Sequence, residues 1–200
     1  MKALLKLSEA IDWLNHKFAL IATLMVFTAC FVSAGNAFVR YNPLTAEWSS
    51  NAWLELQWYM FAYLVMLGAS YTLKMNEHVR VDLLYSSLPP KGKAWVDLLG
   101  TCIFMMPAVF LSMKMSWPFF TASFPDFTAS SFTSWTAFVD AWIHAEQSSN
   151  AGGLIRWPAK LALPLGFGLL ALQGLSEIIK RIGFLTGNLN MDTHYERPVQ

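Results

Sequence analysis

Apolar residues fill four long stretches of the chain, and shorter polar segments separate them. A membrane-spanning helix needs about 20 predominantly apolar residues, and each stretch is close to that length. The pattern therefore predicts an all-α integral membrane protein, with one membrane domain over residues 1–200 and four transmembrane helices. The predicted spans are residues 18–39, 56–73, 96–117 and 159–179.

Four charged residues lie near the ends of the last two stretches. Asp97 and Lys114 belong to the third stretch, and Lys160 and Glu177 belong to the fourth. A charged side chain one turn inside a boundary can reach the headgroups along its own length. We therefore expect these four charges at the membrane interface, and both stretches remain predicted spans.

Helical periodicity continues outside the predicted spans. Residues 1–17 place apolar side chains on one stripe, which predicts an amphipathic helix on the membrane surface. The loop 118–157 contains the same periodicity over residues 134–145, which predicts an extra interfacial helix. Residues 186–200 are predicted to form a cytoplasmic tail.

The first stretch allows a second interpretation, as a cleaved signal peptide. Lys2 and Lys6 would form its basic region, and Gly35-Asn36-Ala37 is a weak cleavage match. The apolar run is longer than an ordinary signal core, and Asp12 precedes it. These features favour an uncleaved first helix.

Positive charges are distributed unequally between the two sides of the predicted membrane. Cytoplasmic segments of membrane proteins are enriched in Lys and Arg, so both termini are predicted to be cytoplasmic. The formal net charge of +1, without a basic patch, excludes nucleic acid as a partner. The cytoplasmic side carries Lys2, Lys6, Lys17, Lys74, Arg80, Lys91, Lys93, Lys180, Arg181 and Arg197, and the other side carries Arg40, Lys114, Arg156 and Lys160.

Candidate chemistry is sparse. Glu77, His78 and Asp82 have the residue types of a metal site, but their spacing matches no known ligand pattern, and a solvated charged turn is the alternative that we favour. All four histidines lie in loops or at helix ends, which disfavours an axial haem ligand. Nucleophile and phosphate-binding motifs are absent, so we predict no enzymatic activity. The middles of the four predicted spans carry almost no polar side chains, and Gln173 is the clearest exception.

Two charged residues, one on each helix of the first hairpin, lie at the same outer membrane boundary. Arg40 ends the first span and Glu55 begins the second. They could pair across the hairpin, or each could meet the lipid headgroups independently. Both alternatives remain open from the sequence.

The ordered set of motifs resembles the small membrane subunit of tripartite ATP-independent periplasmic (TRAP) transporters. The run from Glu55 to Pro90 carries most of this resemblance. By position in the family pattern, the candidate interface or structural residues are Arg40, Glu55, His78, Arg80, Asp82, Glu146 and Gln173. The matching motifs are Arg40-Tyr41, Leu67-Gly68-Ala69, His78-Val79-Arg80-Val81-Asp82, Leu88-Pro89, Glu146-x-Ser148 and Leu172-Gln173.

The resemblance implies a partner-dependent role in a bacterial inner membrane. A periplasmic binding protein would capture a solute, commonly an organic acid, and a large permease subunit would carry it inward with sodium. The small subunit would pack on the large permease and widen its fixed scaffold, among membrane lipids. It implies no cofactor on this chain, because sodium belongs to the large permease. The loop 118–157 is longer than the family pattern suggests.

Two other readings of the sequence compete with this one. The chain could be a self-sufficient four-helix carrier acting as a homo-oligomer, but its spans lack ionisable residues near the midplane. It could also be the membrane anchor of a redox enzyme, but its spans lack histidine ligands.

Overall fold

The computed structural model describes residues 1–77, 85, 87–124 and 134–189, except the side chains of residues 137, 138 and 141. These residues form an all-α structure, whose extended backbone pairing is limited to an isolated bridge between Gln147 and Ile155. A short 3₁₀ turn, Ala46–Trp48, lies between the first two helices. The helices are α1 (Lys2–Tyr41), α2 (Asn51–Met75), α3 (Pro90–Thr121), α4 (Trp135–Ile143) and α5 (Trp157–Leu185).

Helix α1 is continuous over its 40 residues. At 1.5 Å per residue it is about 60 Å long, twice the hydrocarbon thickness of a bilayer. The predicted N-terminal helix over residues 1–17 is thus helical, but it continues into the first span without a break. Ser8, Ile11 and Asn15 are buried within the protein, so this face of the segment packs on another helix. A position of its other face on the membrane surface stays a prediction.

Three helices, α1, α3 and α5, are long and apolar enough to cross a membrane. Helix α2, with 25 residues, is long enough, but it is not among these three. Two of its hydroxyls are used inside the protein, because Tyr59 donates to the carbonyl of Ile155 at 3.2 Å and Tyr63 to that of Pro158 at 2.8 Å. The chain is thus a membrane protein with several apolar helices, and a span by α2 stays a prediction.

Helix α5 is the centre of the bundle and packs against α1, α2 and α3. The 18-residue apolar segment of α5 is 56% buried within the protein, whereas the corresponding segments of α1 and α3 are 17% and 6% buried. Contacts between their residues show that α1 and α3 run antiparallel to α5, whereas α2 runs parallel to it. We call the end with Lys2, Met75, Pro90 and Leu185 the basic end, and the opposite end the loop end.

Helix α3 changes its hydrogen-bond register in its middle. Residues Thr101–Met105 are π-helical, between the α-helical segments Pro90–Gly100 and Met106–Thr121. Pro107 follows immediately and has no backbone N–H to donate. A π segment beside a proline accommodates this lost bond and lets the apolar helix continue.

Helix α4 confirms the predicted helix in the long loop, although it begins and ends one or two residues inside the prediction. It is attached to the loop end by aromatic rings: Trp142 lies 4.1 Å from Trp157 and 5.1 Å from Phe124, measured between ring centroids. Trp135 and Ile143 are exposed by 76% and 56%. One side of α4 thus packs on α3 and α5.

Small and polar residues mark the buried face of α1 at intervals of seven residues. This spacing keeps one face of a helix turned toward its neighbours, and small side chains allow the backbones to approach closely. The residues are Ser8, Asn15, Ala22, Ala29 and Asn36.

Helices α5 and α2 approach each other closely at Gly166 of α5. A Cβ atom added there would lie 2.5 Å from Met66 Cβ and 2.8 Å from the Met66 carbonyl oxygen. Two residues further on, a Cβ added at Gly168 would meet nothing within 4 Å. The two glycines therefore form a matched pair for a test of this contact.

We expect Gly166→Ala to lower the thermal stability of the detergent-solubilised protein, because the Met66 backbone cannot move aside without separating α2 from α5. Overpacking of this kind costs about 1–3 kcal/mol. Gly168→Ala should leave stability unchanged or raise it slightly, since alanine favours a helix. Equal melting temperatures for the two variants would contradict the packing described.

Candidate functional site

The buried carboxylate of Glu55 is fixed by the loop that precedes α5. Glu55 is 4% exposed at the start of α2. Its oxygens accept hydrogen bonds from the Ser148 hydroxyl, from the Asn150 amide at 2.8 Å and from the Leu154 backbone N–H at 2.7 Å. Three donors compensate for the cost of burying the charge. The loop is therefore anchored to α2 through one side chain.

The loop reaches Glu55 by folding back on itself. Gln147 and Ile155 form the isolated antiparallel bridge, and Gly152 at the turn has a left-handed φ of +69°, which suits glycine. A Cβ at Gly153 would lie 2.5 Å from Ser148 Cβ. Glycine at both positions thus lets the turn close against α2.

Glu146 forms a second anchor beside the first. It pairs with Lys160 at the start of α5, with Arg156 at 3.1 Å and with the Ser123 hydroxyl at 3.3 Å. The hydrogen bond from Lys160 lowers the pKa of the Glu146 carboxyl, and Arg156 and Ser123 lower it further against the opposing effect of burial. Lys160 is consequently paired within the protein, and its position at the membrane interface stays a prediction.

Arg40 and Glu55 form no ion pair, so the proposed pairing across the first hairpin is wrong. Glu55 is occupied by Ser148, Asn150 and Leu154, whereas Arg40 is exposed. The physical reason is the burial of Glu55, which favours fixed donors in a folded loop over a flexible exposed guanidinium.

A second polar cluster joins α1 to α5 near the basic end, and Gln173 is at its centre. Gln173 and Asn15 are both fully buried, and the Asn15 amide donates to Gln173 Oε1 at 2.7 Å. The Gln173 amide donates to Asp12 at 3.1 Å and to Glu177 at 3.2 Å. Gln173 therefore connects one amide and two carboxylates.

Hydroxyls and a lysine complete this cluster. Ser8 and Ser176 form a buried hydroxyl pair at 2.7 Å, and Ser176 also donates to Asp12 at 2.8 Å. Lys180 bridges the carboxylates of Asp12 at 2.7 Å and Glu177 at 2.8 Å. The two negative charges are thereby balanced where α1 and α5 meet.

Helix α3 is tied to the same region by Arg181. Its guanidinium lies 3.2 Å from Asp97 and 3.7 Å from Glu177, and Asp97 also accepts from the Tyr85 hydroxyl at 2.9 Å. Asp97 and Glu177 therefore pair within the protein, through a cation that lies between α3 and α5. Their position at the membrane interface stays a prediction.

The described residues contain no group of three or more His, Cys, Asp and Glu side chains that could hold a metal ion. His78, Arg80 and Asp82, the core of the predicted charged turn, lie outside the described residues. The carboxylates of both clusters are paired with cations or hydrogen-bond donors. Such arrangements hold helices and loops together.

Of the predicted site residues, Glu55 and Glu146 come together at the loop end and Gln173 lies in the second cluster. The sequence pattern did not reveal the partners of Gln173. A signal was available: Ser8 and Asn15 follow the seven-residue spacing of α1. On α5, polar residues three or four positions apart share one face of the helix: Gln173, Ser176, Glu177 and Lys180.

We expect Glu55→Ala to release the loop from α2, because the Ser148, Asn150 and Leu154 donors would lose their acceptor. Each buried neutral donor left without its acceptor costs about 1–3 kcal/mol. The readout is the rate of protease cleavage within residues 144–157 of the detergent-solubilised protein. Glu47→Ala, at an exposed carboxylate nearby, is the matched control and should cleave like the parent. The anchor would be refuted by equal cleavage of both variants.

A double-mutant cycle on Asn15 and Gln173 tests the buried amide pair. Gln173→Leu leaves the Asn15, Asp12 and Glu177 groups without their partner, so we expect a loss of about 1–3 kcal/mol in stability. Because a shared bond can be lost only once, Asn15→Leu combined with Gln173→Leu should cost less than the sum of the single changes. Strict additivity, measured by thermal or denaturant unfolding, would mean that the pair is not coupled.

Comparison with known proteins agrees with this architecture. The profile of the family described as tripartite ATP-independent periplasmic transporters, DctQ component, matches residues 29–183. A Haemophilus influenzae protein that bears the provisional name TRAP transporter small permease protein is 35% identical over 63 residues. That alignment covers 32% of this chain and 38% of the relative. No solved structure matches. The family match covers most of the chain and all four large helices at least in part, so the chain belongs to the DctQ family of TRAP transporter small permeases.

Proposed function

We propose that the chain packs on the large permease subunit of a TRAP transporter and extends the fixed membrane scaffold of that subunit. The transporter would take up a solute, in our proposal an organic acid, with sodium and with a periplasmic binding protein. Sodium and solute would bind to the large permease. The chain would lie in a bacterial inner membrane with both termini in the cytoplasm.

The supporting observation is the contrast between the interior and the outer faces of the bundle. Among the described residues, the carboxylates of both clusters are held by partners within the chain. A carrier needs polar groups along a path that can open. Polar side chains that fix helices to each other suit a scaffold better than a path.

The outer faces carry large apolar side chains. Phe27 and Phe31 of α1 are each 64% exposed, and Phe104 of α3 is 76% exposed. In a membrane such faces meet lipid or another apolar protein surface. A large hydrophobic subunit on one of these faces would therefore bury apolar residues without disturbing either polar cluster.

The orientation is supported by the positions of the cations. Lys74, Lys180 and Arg181 lie at the basic end, together with the start of α1. Cytoplasmic segments are enriched in Lys and Arg, so we place the basic end in the cytoplasm and the anchored loop in the periplasm. The loop end would then face the binding protein.

The test is isolation of the full chain from native membranes in mild detergent, through a tag after Gln200. We expect a large permease subunit in equal amount, and solute uptake in liposomes that requires both subunits and a sodium gradient. Glu55→Ala should reduce recovery of the assembled complex more than the Glu47→Ala control, because a released loop alters the surface at the loop end. Recovery of the chain alone, as a homo-oligomer that transports by itself, would overturn the proposal.

A further inference from the structure

A narrow groove runs along the outer surface of α1 and α2. Its volume is about 470 Å³, within the range of about 300–1,000 Å³ that is usual for small-ligand sites. From His16 to Cys30 the groove follows 15 residues of α1, or about 21 Å along the helix axis. Its lining is mostly apolar and consists of His16, Ala19, Leu20, Ala22, Thr23, Val26, Phe27, Cys30, Leu64, Gly68, Tyr71 and Thr72.

Small residues keep the groove open. Ala19 and Thr23 of α1 lie along it, and Gly68 and Thr72 contribute from α2. A Cβ added at Gly68 would meet nothing within 4 Å, whereas α2 and α5 are in direct contact at Gly166. The surface of α2 at Gly68 therefore has open space beside it, whereas the α2 surface at Met66 is covered by α5.

Polar and cationic groups lie at one end of the groove. The rings of His16 and Tyr71 are 5.9 Å apart, and the Lys74 ammonium lies 6.0 Å from the centre of the Tyr71 ring. The ammonium donates to the backbone carbonyl of Asp12 at 3.4 Å, and a lysine has three N–H donors. The groove thus has a long apolar part and a basic, hydrogen-bonding mouth.

We propose that this groove binds an anionic phospholipid, with one acyl chain along α1 and α2 and the headgroup phosphate at Lys74 and His16. The ligand is complementary to the groove. Its acyl chain suits the long apolar part, and its negative headgroup suits the basic mouth. The inference rests on the proposed orientation, which places the mouth in the cytoplasmic leaflet, where anionic lipids attract basic residues. A lysine near such a surface contributes about 1 kcal/mol.

The experiment is native mass spectrometry of the delipidated full chain, with any subunit that accompanies it. The probes are dioleoyl phosphatidylglycerol, which is anionic, and dioleoyl phosphatidylcholine, which has no net charge. We expect the first phosphatidylglycerol to bind about fivefold more tightly than phosphatidylcholine, which is the fold-change that one lysine provides. Lys74→Gln should weaken phosphatidylglycerol binding more than phosphatidylcholine binding and so remove this preference.

Filling the groove tests the site of the acyl chain. Gly68→Leu places a side chain in the open space and raises helix propensity, so the variant should fold, and we expect it to weaken the first lipid by more than about tenfold. Gly35→Leu is the matched control, because Gly35 is an exposed helix residue with nothing within 4 Å of an added Cβ, outside the groove. It should bind lipid like the parent.

Equal lipid binding by the Gly68→Leu and Gly35→Leu variants, or equal affinity of the parent for both lipids, would overturn the proposal. If Gly68→Leu instead prevents recovery of the large permease and leaves lipid binding unchanged, the groove belongs to a protein partner and the lipid assignment is wrong. Because lipid binding is measured on the purified chain, its failure is distinguishable from failure of the proposed transport role, which is measured by co-purification and uptake.

Discussion

The bundle depends on the hydrogen bond between the buried amides of Asn15 and Gln173. Neither side chain has access to solvent, so separating α1 from α5 would leave the Asn15 amide group and Gln173 Oε1 without partners in an apolar environment. Such groups are expensive to leave unsatisfied, although the bond that they make contributes little by itself. The pair therefore specifies the position of α1 along α5 more than it adds stability. Asp12, Ser176 and Lys180 extend the same connection toward the basic end.

At the loop end, Glu55 has the same role for a different element. A loop has no regular backbone pairing of its own, and this loop obtains a fixed position from one buried carboxylate and three donors. Glu146 with Lys160 and Arg156 joins the same loop to the start of α5. The two clusters hold opposite ends of the bundle, and the apolar residues between them, such as Ala22, Leu67 and Leu169, need only pack. Small residues at these contacts let the helices approach closely.

The charged and amide side chains of the two clusters bind each other and so hold the helices and the loop in place. The outer faces of α1 and α3 remain apolar and exposed. In our proposals, such a subunit would extend a membrane scaffold, and its groove would bind an amphipathic lipid. The solute specificity of the proposed transporter would then be a property of its partners.

The sequence by itself determined the class of the protein and the existence of its elements. Long apolar runs require helices in a membrane, because backbone groups must be paired within each segment, and helical periodicity was sufficient to predict α4. Membership of the family followed from ordered motifs. The tertiary structure alone decided which polar residues meet. Glu55 pairs with a loop nearly 100 positions away and not with Arg40, and Asp12 meets Lys180 across the bundle, because side-chain pairing depends on the rotation and register of packed helices. Those quantities are set by contacts distant in sequence, such as Gly166 against Met66 and Asn15 against Gln173, which no local pattern of apolar and polar residues contains.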